Sequence, residues 1–402
     1  MESYDFLLAI AIILLSTKVL GLLSERVHMP QVVGALIAGI ILGPSVLGWI
    51  GETDFLSKTS EIGVIVLMFM AGLDTDLDEL KKTGAASFVI ALIGVIVPLI
   101  GGAACYLVFF PDSTEPMHML RAVFIGVVLT ATSVSITVET LREMGKLKGK
   151  VGTAIMGAAV IDDIMGIIVL TLATSFTDPS VNILKVLGSI VGFFLFLAVV
   201  GFAMHKAFSK MDENWGQKRR VAIYAFVFCL VLSYIAETVF GIADITGAYF
   251  AGLFLCNIYK TRSYIAKKMT VISYMVFSPV FFASIGIKTE LGGMNAAILG
   301  FSAALLVVAL LSKVIGCGLG AKICGFTNHE ALSVGIGMIS RGEVALIVAQ
   351  KGSQAGLIDE ELFPAIVVVV IVTTLITPML LKLVMSKDPT SPEDSAPATQ
   401  NA

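Results

Sequence analysis

Apolar residues dominate the chain almost from end to end, in long stretches separated by short clusters of charged and turn-forming residues. A helix that crosses the hydrocarbon core of a bilayer needs about 20 mostly apolar residues, because the core is roughly 30 Å thick and each residue rises about 1.5 Å. The pattern therefore predicts an all-α integral membrane protein with thirteen transmembrane helices. Their predicted bounds are 5–24, 30–50, 60–74, 84–110, 119–142, 149–177, 183–208, 219–240, 245–259, 270–287, 294–323, 329–352 and 362–386.

Composition supports the membrane assignment and argues against several other classes of protein. Of 402 residues, 57% are hydrophobic and 14% are charged, which is far from the balance of a water-soluble domain. The net charge of −3, without a basic arm or patch, gives no reason to expect a nucleic-acid partner. The five cysteines lie in or beside apolar stretches without CxxC spacing, so we expect buried thiols rather than disulfides or a metal site.

The loops between the predicted helices differ in charge. If the N-terminus lies outside, the cytoplasmic loops hold 19 of the 27 lysines and arginines and the opposite loops hold 5. The positive-inside rule therefore places the N-terminus outside and the C-terminus in the cytoplasm. The segment 6–23 lacks the features of a cleaved signal peptide. The tail 387–402 is polar and rich in Pro and Ser, which predicts disorder.

Two parts of the chain resemble each other. The sequence GALIAG at 34–39 is followed 213 residues later by GAYFAG at 247–252, and FMAGLDTDL is matched by FASIGIKTEL in the next predicted helix of each half. Gly126 and Gly335 continue the series. The matched helices are an odd number of crossings apart, so the pattern predicts an inverted-topology repeat. Transporters built in this way bind their substrates near the bilayer midplane, between discontinuous helices.

Polar residues interrupt the fifth and twelfth predicted helices at matching positions in the repeat. The fifth contains TATSVSIT and the twelfth contains SRGE, which includes Arg341 and Glu343. Hydroxyl groups can satisfy backbone groups that a broken helix leaves unpaired, and such breaks persist only where they are buried in protein or line a cavity. We therefore predict discontinuous helices here, with Arg341 and Glu343 in a structural role, either paired with each other or capping the break.

Asp162 and Asp163 lie midway along the apolar sixth helix. Facing lipid, the two charges would cost about 5 to 7 kcal/mol, so we expect both to face protein or water. Adjacent residues point about 100° apart on a helix, so one carboxylate can face an ion cavity while the other faces a different helix. Burial and a like-charged neighbour favour the protonated form of a carboxylate. A proton and a hard monovalent cation would then compete for the same oxygens, which predicts cation/proton antiport.

Lys313 interrupts the apolar run of the eleventh predicted helix. A buried ammonium needs an opposite charge, and the Asp pair offers the only intramembrane carboxylates in plausible register. We predict an ion pair between Asp162 and Lys313, which would leave Asp163 for the ion. Whether Lys313 itself exchanges a proton stays open.

These elements together resemble the monovalent cation/proton antiporter superfamily, in the branch that carries two adjacent aspartates. TATSVSIT, VIDD, LLSK and SRGEVAL stand in the family's order and spacing. The membrane part is similar to that of Kef-type proteins, but the chain lacks their Gln before the second aspartate and their nucleotide-binding domain. The resemblance implies electrogenic sodium/proton exchange and a part in pH homeostasis. It also implies that Na⁺ and H⁺ bind at Asp163, with Asp162, Thr132 and Ser133 completing the site and Lys313 as ion-pair partner or proton carrier.

The resemblance further implies a homodimer that works by elevator-type alternating access. Helices 1–3 (residues 1–80) and 8–10 (219–292) would form a dimerisation domain. Helices 4–6 (81–178) and 11–13 (293–386) would form a core with crossed discontinuous helices, and helix 7 (179–218) would link the two.

Other functions stay open at this point. A K⁺/H⁺ antiporter would use the same ligands, and a gated cation channel could also use polar broken helices. A membrane sensor without transport is disfavoured by the absence of a signalling domain. We expect no enzymatic activity, no cofactor, and partners limited to the cation, protons, the lipid bilayer and a second copy of the chain. The short loops favour a prokaryotic plasma membrane.

Overall fold

The computed structural model describes residues 4–27, 29–111, 117–176, 183–215, 219–288, 296–354, 356–358 and 360–385, and within them the chain is helical, without β-strands. The predicted tail 387–402 lies outside these residues. The first half contains α1 (Asp5–Arg26), α2 (Gln31–Leu42), α3 (Asp54–Asp74), α4 (Leu77–Phe109), α5 (His118–Thr130), α6 (Val134–Glu143), α7 (Lys150–Ser175) and α8 (Ile183–Trp215). The second half contains α9 (Arg219–Phe240), α10 (Asp244–Leu255), α11 (Tyr259–Ile272), α12 (Ser278–Ile287), α13 (Ala296–Ile323), α14 (Asn328–Gly337), α15 (Glu343–Gln354) and α16 (Phe363–Met385).

Ten of the helical segments in the described residues are long and apolar enough to cross a membrane, and α2 and α10 are shorter apolar helices. The exposed surface of these segments carries many large hydrophobic side chains, such as Leu15, Val199 and Ile315. In a protein that spans a bilayer this surface faces lipid, so its exposure carries no cost there. The prediction of a multi-pass helical membrane protein is confirmed at this level.

The helices pack in two groups. One group, here called the frame, consists of α1–α3 and α9–α12, in which α2 packs on α1 and α12, and α10 packs on α3 and α9. The other, here called the core bundle, consists of α4–α7 and α13–α16, with α4 and α13 packed along each other at its centre. Helix α8 contacts α7 of the core bundle and α9 and α10 of the frame.

Several helix boundaries differ from the predictions, and two differ most. Helix α2 ends at Leu42, not near residue 50, because Gly43 precedes a proline and takes an extended backbone that ends the helix. The tenth predicted span begins at Tyr259, not at 270, and runs through a π-helical turn at Ser273–Phe277 into α12. The basic residues between 260 and 268, predicted to form a loop, continue this helix, since lysine and arginine stems can lie along it while the charges reach water.

Glycines allow the frame helices to cross at backbone contact. A β-carbon at Gly72 of α3 would lie 2.1 Å from the Tyr249 carbonyl oxygen, and one at Gly252 of α10 would lie 2.1 Å from the Phe69 carbonyl oxygen. Helices α2 and α12 cross in the same way, since a β-carbon at Gly39 would lie 2.0 Å from a carbonyl oxygen of α12. Small residues at such crossings are typical of helix packing in membranes.

We therefore expect Gly72→Ala to destabilise the protein by about 1 to 2 kcal/mol, because overpacking at a backbone contact outweighs the gain in helix propensity. The measurement is the apparent melting temperature of the purified protein in detergent. Gly188→Ala in α8 is the matched control, since a β-carbon there meets nothing within 4 Å. Equal melting temperatures for the two variants would contradict this packing.

Candidate ion-binding site

Two interrupted helices of the core bundle cross at their breaks. Helix α5 ends at Thr130 and α6 begins at Val134, while α14 ends at Gly337 and α15 begins at Glu343. The Ser133 amide donates to the Ser340 carbonyl oxygen at 2.7 Å, and the Ser340 hydroxyl donates back to the Ser133 carbonyl oxygen. These bonds pair backbone groups that the breaks remove from the helical pattern, as a buried irregular segment requires. Both interruptions lie where the polar runs of the sequence predict them.

A glycine and two threonines complete the crossing. A β-carbon at Gly342 would lie 2.7 Å from the Ser133 hydroxyl oxygen, so the close approach depends on glycine. Thr137 of α6 donates to the Gly337 carbonyl oxygen at 2.7 Å, and Thr374 of α16 donates to the Arg341 carbonyl oxygen. The freed carbonyl groups of α14 and its break are therefore held by hydroxyls from two other helices.

Arg341 is fully buried and caps the break, one of the two roles expected for it. Its Nη2 donates to the Leu129 carbonyl oxygen at 2.9 Å and to the Ala309 carbonyl oxygen at 3.1 Å. Its Nη1 donates to the Ile339 carbonyl oxygen at 3.0 Å. A cation suits this place because the last carbonyl groups of α5 carry partial negative charge. The Glu343 side chain lies outside what the structure describes, so its predicted role stays a prediction.

The structure brings Asp162 and Lys313 together inside the core bundle. Lys313 Nζ lies 3.0 Å from Asp162 Oδ1 and 3.3 Å from Oδ2, and the side chains are 0% and 2% exposed. Asp162 therefore has a hydrogen-bonded cation as its partner, which is what a buried carboxylate needs to remain charged.

Asp163 points elsewhere, as the 100° offset predicts. It is partly exposed and lines a funnel of about 650 Å³ between the frame and the core bundle, which Asp162 also reaches. The funnel extends to Glu52 and Lys288, which lie outside the helices, and to Lys351 in the last turn of α15. Thr132 and Ser133 are not among the residues that line it, and the Ser133 hydroxyl lies 3.3 Å from that of Ser135. Their predicted contact with the ion stays a prediction.

The funnel wall carries carboxylates that the sequence reasoning did not single out. Glu61 of α3, Glu237 of α9 and Asp244 of α10 all lie on the frame side. A cleft lined mainly by one sign of charge raises the local concentration of counter-ions, so this funnel attracts cations. Their positions near helix ends in the sequence do not indicate a shared site, because only the packing of α3, α9 and α10 brings them together.

On the side of Asp163 away from the funnel, little open space remains between the helices. A cavity of about 10 Å³ remains there between α3, α6, α7 and α10, lined by Met68, Val134, Val138, Met156, Val160, Asp163, Ile245, Thr246 and Tyr249. Most of these side chains are apolar, so together they form a seal. Asp163 thus lies between an open funnel and this seal.

A charged cluster lies beyond the seal and joins the two helix groups. Arg142 of α6 lies 3.7 Å from Asp74 of α3, and Lys148 and Arg262 lie 3.5 Å and 3.8 Å from the same carboxylate. Arg142 also lies 3.2 Å from Glu139 Oε2. The sequence reasoning counted these cations only as loop charges, because nothing in their spacing indicates a shared partner.

Similarity to known proteins assigns the chain to a family. The family model described as "Sodium/hydrogen exchanger, transmembrane" matches residues 10–387. The chain belongs to this family. Among curated relatives, the Na⁺/H⁺-K⁺ antiporter GerN of Bacillus cereus is 44% identical over 94% of this chain and 96% of its own length. The Na⁺/H⁺ antiporter of Enterococcus hirae is 36% identical over 95% of this chain and 99% of its own length.

The fold has a counterpart among solved structures. The structure of the sodium proton antiporter MjNhaP1 from Methanocaldococcus jannaschii matches with a TM-score of 0.71, over 97% of this chain and 99% of that one. The sequences are 16% identical, so this likeness concerns the fold alone.

Removing one member of the buried ion pair should be costly. We expect Lys313→Ala to lower the free energy of unfolding by about 3 to 5 kcal/mol, because it leaves Asp162 buried without its cation. The double variant Lys313→Ala with Asp162→Asn removes both charges and should recover part of that loss. Thermal melting in detergent of both single variants and of the double variant tests the pairing as a double-mutant cycle. Strictly additive losses would show that the two charges are not coupled.

Proposed function

We propose that this exchanger-family member is a sodium/proton antiporter, a membrane transporter that moves Na⁺ in exchange for H⁺. One observation carries the proposal: Asp163 lines an open cation-attracting funnel, and among the described residues it forms no ion pair such as its neighbour Asp162 has. The named relatives support it: the Enterococcus hirae protein is described as a Na⁺/H⁺ antiporter, and GerN is described as a Na⁺/H⁺-K⁺ antiporter. The name of GerN also includes K⁺, so a K⁺/H⁺ antiporter remains the second candidate.

The charge arrangement accounts for exchange rather than simple binding. Lys313 balances the charge of Asp162, so Asp163 contributes one negative charge that either Na⁺ or H⁺ can neutralise. A carboxylate oxygen is a hard ligand suited to both, and only one of them can occupy it at a time. When one of the two ions is bound to Asp163, the other is excluded. If the site changes sides only with Na⁺ or H⁺ bound, the result is antiport. Thr132 and Ser133 are the proposed further ligands.

Charge movement depends on what Lys313 does. If Na⁺ at Asp163 weakens the ion pair between Asp162 and Lys313, Lys313 can give up its proton. More than one H⁺ is then exchanged per Na⁺, and the cycle is electrogenic. The short distance between Lys313 Nζ and Asp162 supports this coupling, because Asp162 and Asp163 are adjacent on α7.

The glycine contacts support an inverted repeat. Gly39 matches Gly252 and Gly72 matches Gly286 in the sequence repeat, and the structure packs α2 on α12 at Gly39 and Gly286, and α10 on α3 at Gly252 and Gly72. An inverted pair of repeats related by a two-fold axis would produce these two equivalent contacts. With each pair of half-helices taken as one crossing, and α11 with α12 as another, the helices then form thirteen spans.

Alternating access follows from the two helix groups. The frame (1–80 and 219–292) is the proposed dimerisation domain of a homodimer, and the core bundle (81–178 and 293–386) would slide against it while residues 179–218 link the two. The funnel opens on the side with few basic residues, which the charge distribution assigns to the outside. The proposed location is a prokaryotic plasma membrane, with the C-terminus in the cytoplasm.

Asp163→Asn should abolish exchange, because an amide carries no negative charge and does not take up a proton at physiological pH. The measurement is Na⁺-driven proton movement in everted vesicles with a pH-sensitive dye. Asp54→Asn is a matched control, since Asp54 is exposed at the start of α3. If the Asp163 variant exchanges at the normal rate, the site is wrongly assigned.

Ion choice and charge movement are tested in proteoliposomes. We expect proton flux with Na⁺ or Li⁺, weaker flux with K⁺, and a membrane potential that changes the rate, as an electrogenic cycle requires. Equal rates with Na⁺ and K⁺ would favour the second candidate. Cation current without obligatory proton movement would instead indicate a channel.

A further inference from the structure

Thr246 is a buried polar residue to which the site described above gives no role. It lies in the first turn of α10, is 2% exposed, and its hydroxyl has no hydrogen-bond partner among the described residues. An unpaired hydroxyl in an apolar place is unfavourable, so its retention calls for an explanation.

The surroundings of Thr246 point to Asp163. The two residues line the same cavity of about 10 Å³, a volume close to that of one water-sized sphere. Of the nine lining residues, Asp163, Thr246 and Tyr249 carry an oxygen in the side chain. The Tyr249 hydroxyl lies 3.3 Å from that of Thr75, so it has a partner of its own. Thr246 and Asp163 therefore border the same space, which has room for about one water-sized molecule.

The two residues also belong to different helix groups. Asp163 lies on α7 of the core bundle, and Thr246 lies on α10 of the frame. They border the same cavity only while the core bundle stands in its present position, with Asp163 also lining the funnel. Thr246 can therefore act on an ion that arrives from the funnel, before the groups move.

We propose that the Thr246 hydroxyl completes the ligand shell of Na⁺ on Asp163, directly or through one water molecule, and thereby helps to set the affinity and choice of cation. This rests on the proposed sodium/proton exchange. A carboxylate leaves a small cation with open coordination positions, and a hydroxyl is a hard oxygen ligand suited to fill one. Because the hydroxyl comes from the opposite helix group, it limits the space for a larger ion.

The test is the Na⁺ dependence of exchange in proteoliposomes for Thr246→Val and Thr246→Ser. Valine keeps the shape and removes the oxygen, so we expect the half-saturating Na⁺ concentration to rise about tenfold, with the maximal rate within about twofold of wild type. The preference for Na⁺ over K⁺ should fall. Serine restores the oxygen and should return the Na⁺ dependence to within about twofold.

Thr153→Val is the matched control. Thr153 of α7 is equally buried, its hydroxyl also lacks a partner among the described residues, and it lines neither the funnel nor the small cavity. We expect its Na⁺ dependence and ion preference to match wild type. If Thr246→Val fails to fold, the half-saturating concentration of Thr246→Ala and the shift in melting temperature caused by Na⁺ provide the same comparison.

An unchanged half-saturating concentration in Thr246→Val would overturn the proposal. So would a lowered melting temperature with unchanged Na⁺ dependence, which indicates a purely structural role. In both cases exchange by wild type and its loss in Asp163→Asn would leave the antiport function intact. Absence of exchange in wild type would instead refute the function on which the proposal rests.

Discussion

The reciprocal hydrogen bonds between Ser133 and Ser340 are the interaction on which the rest of the site depends. They join two interrupted helices at a depth where no bulk water can satisfy the backbone groups that the breaks release. Without this pairing neither break could persist, and without the breaks the centre of the core bundle would hold continuous helices. The crossing therefore makes room for charged side chains in the middle of an apolar protein.

Charge balance then decides what each buried group can do. Arg341 donates hydrogen bonds to carbonyl groups of three segments, and the charge of Lys313 is neutralised by Asp162. These partners are internal to the core bundle, so in the proposed cycle they would travel with it. Asp163 forms no ion pair with any residue that the structure describes, and it faces the boundary between the groups, where its surroundings would change if they moved. A difference of one position along α7 thus separates the proposed structural carboxylate from the proposed exchangeable one.

Much of this could be predicted from the sequence, because a membrane makes polar residues conspicuous. Asp162, Asp163, Lys313 and Arg341 stood out as charges that lipid would not tolerate, and the helical offset between adjacent residues divided the two aspartates correctly in space. The positions of the two breaks followed from runs of hydroxyl residues for the same reason.

Other features could not be predicted, and the reason is physical. Thr246 is an ordinary residue in an apolar helix, and only the three-dimensional structure shows that it lines the same small cavity as Asp163. The cluster around Asp74 likewise depends on four segments meeting at one point. The predicted end of α2 was wrong because hydropathy does not indicate a turn at a proline. The predicted start of the α11 span was wrong because basic residues were taken as a loop, although the helix continues through them.

The funnel and the seal also shape the electric field across the protein. Water conducts and an apolar seal does not, so a water-filled funnel brings the potential of one side close to Asp163, and most of the transmembrane voltage falls across the few side chains around Met68 and Val138. An elementary charge that crosses the full field gains or loses about 2.3 kcal/mol per 100 mV. A movement much shorter than the bilayer thickness is then enough to carry the charge at Asp163 through most of that voltage.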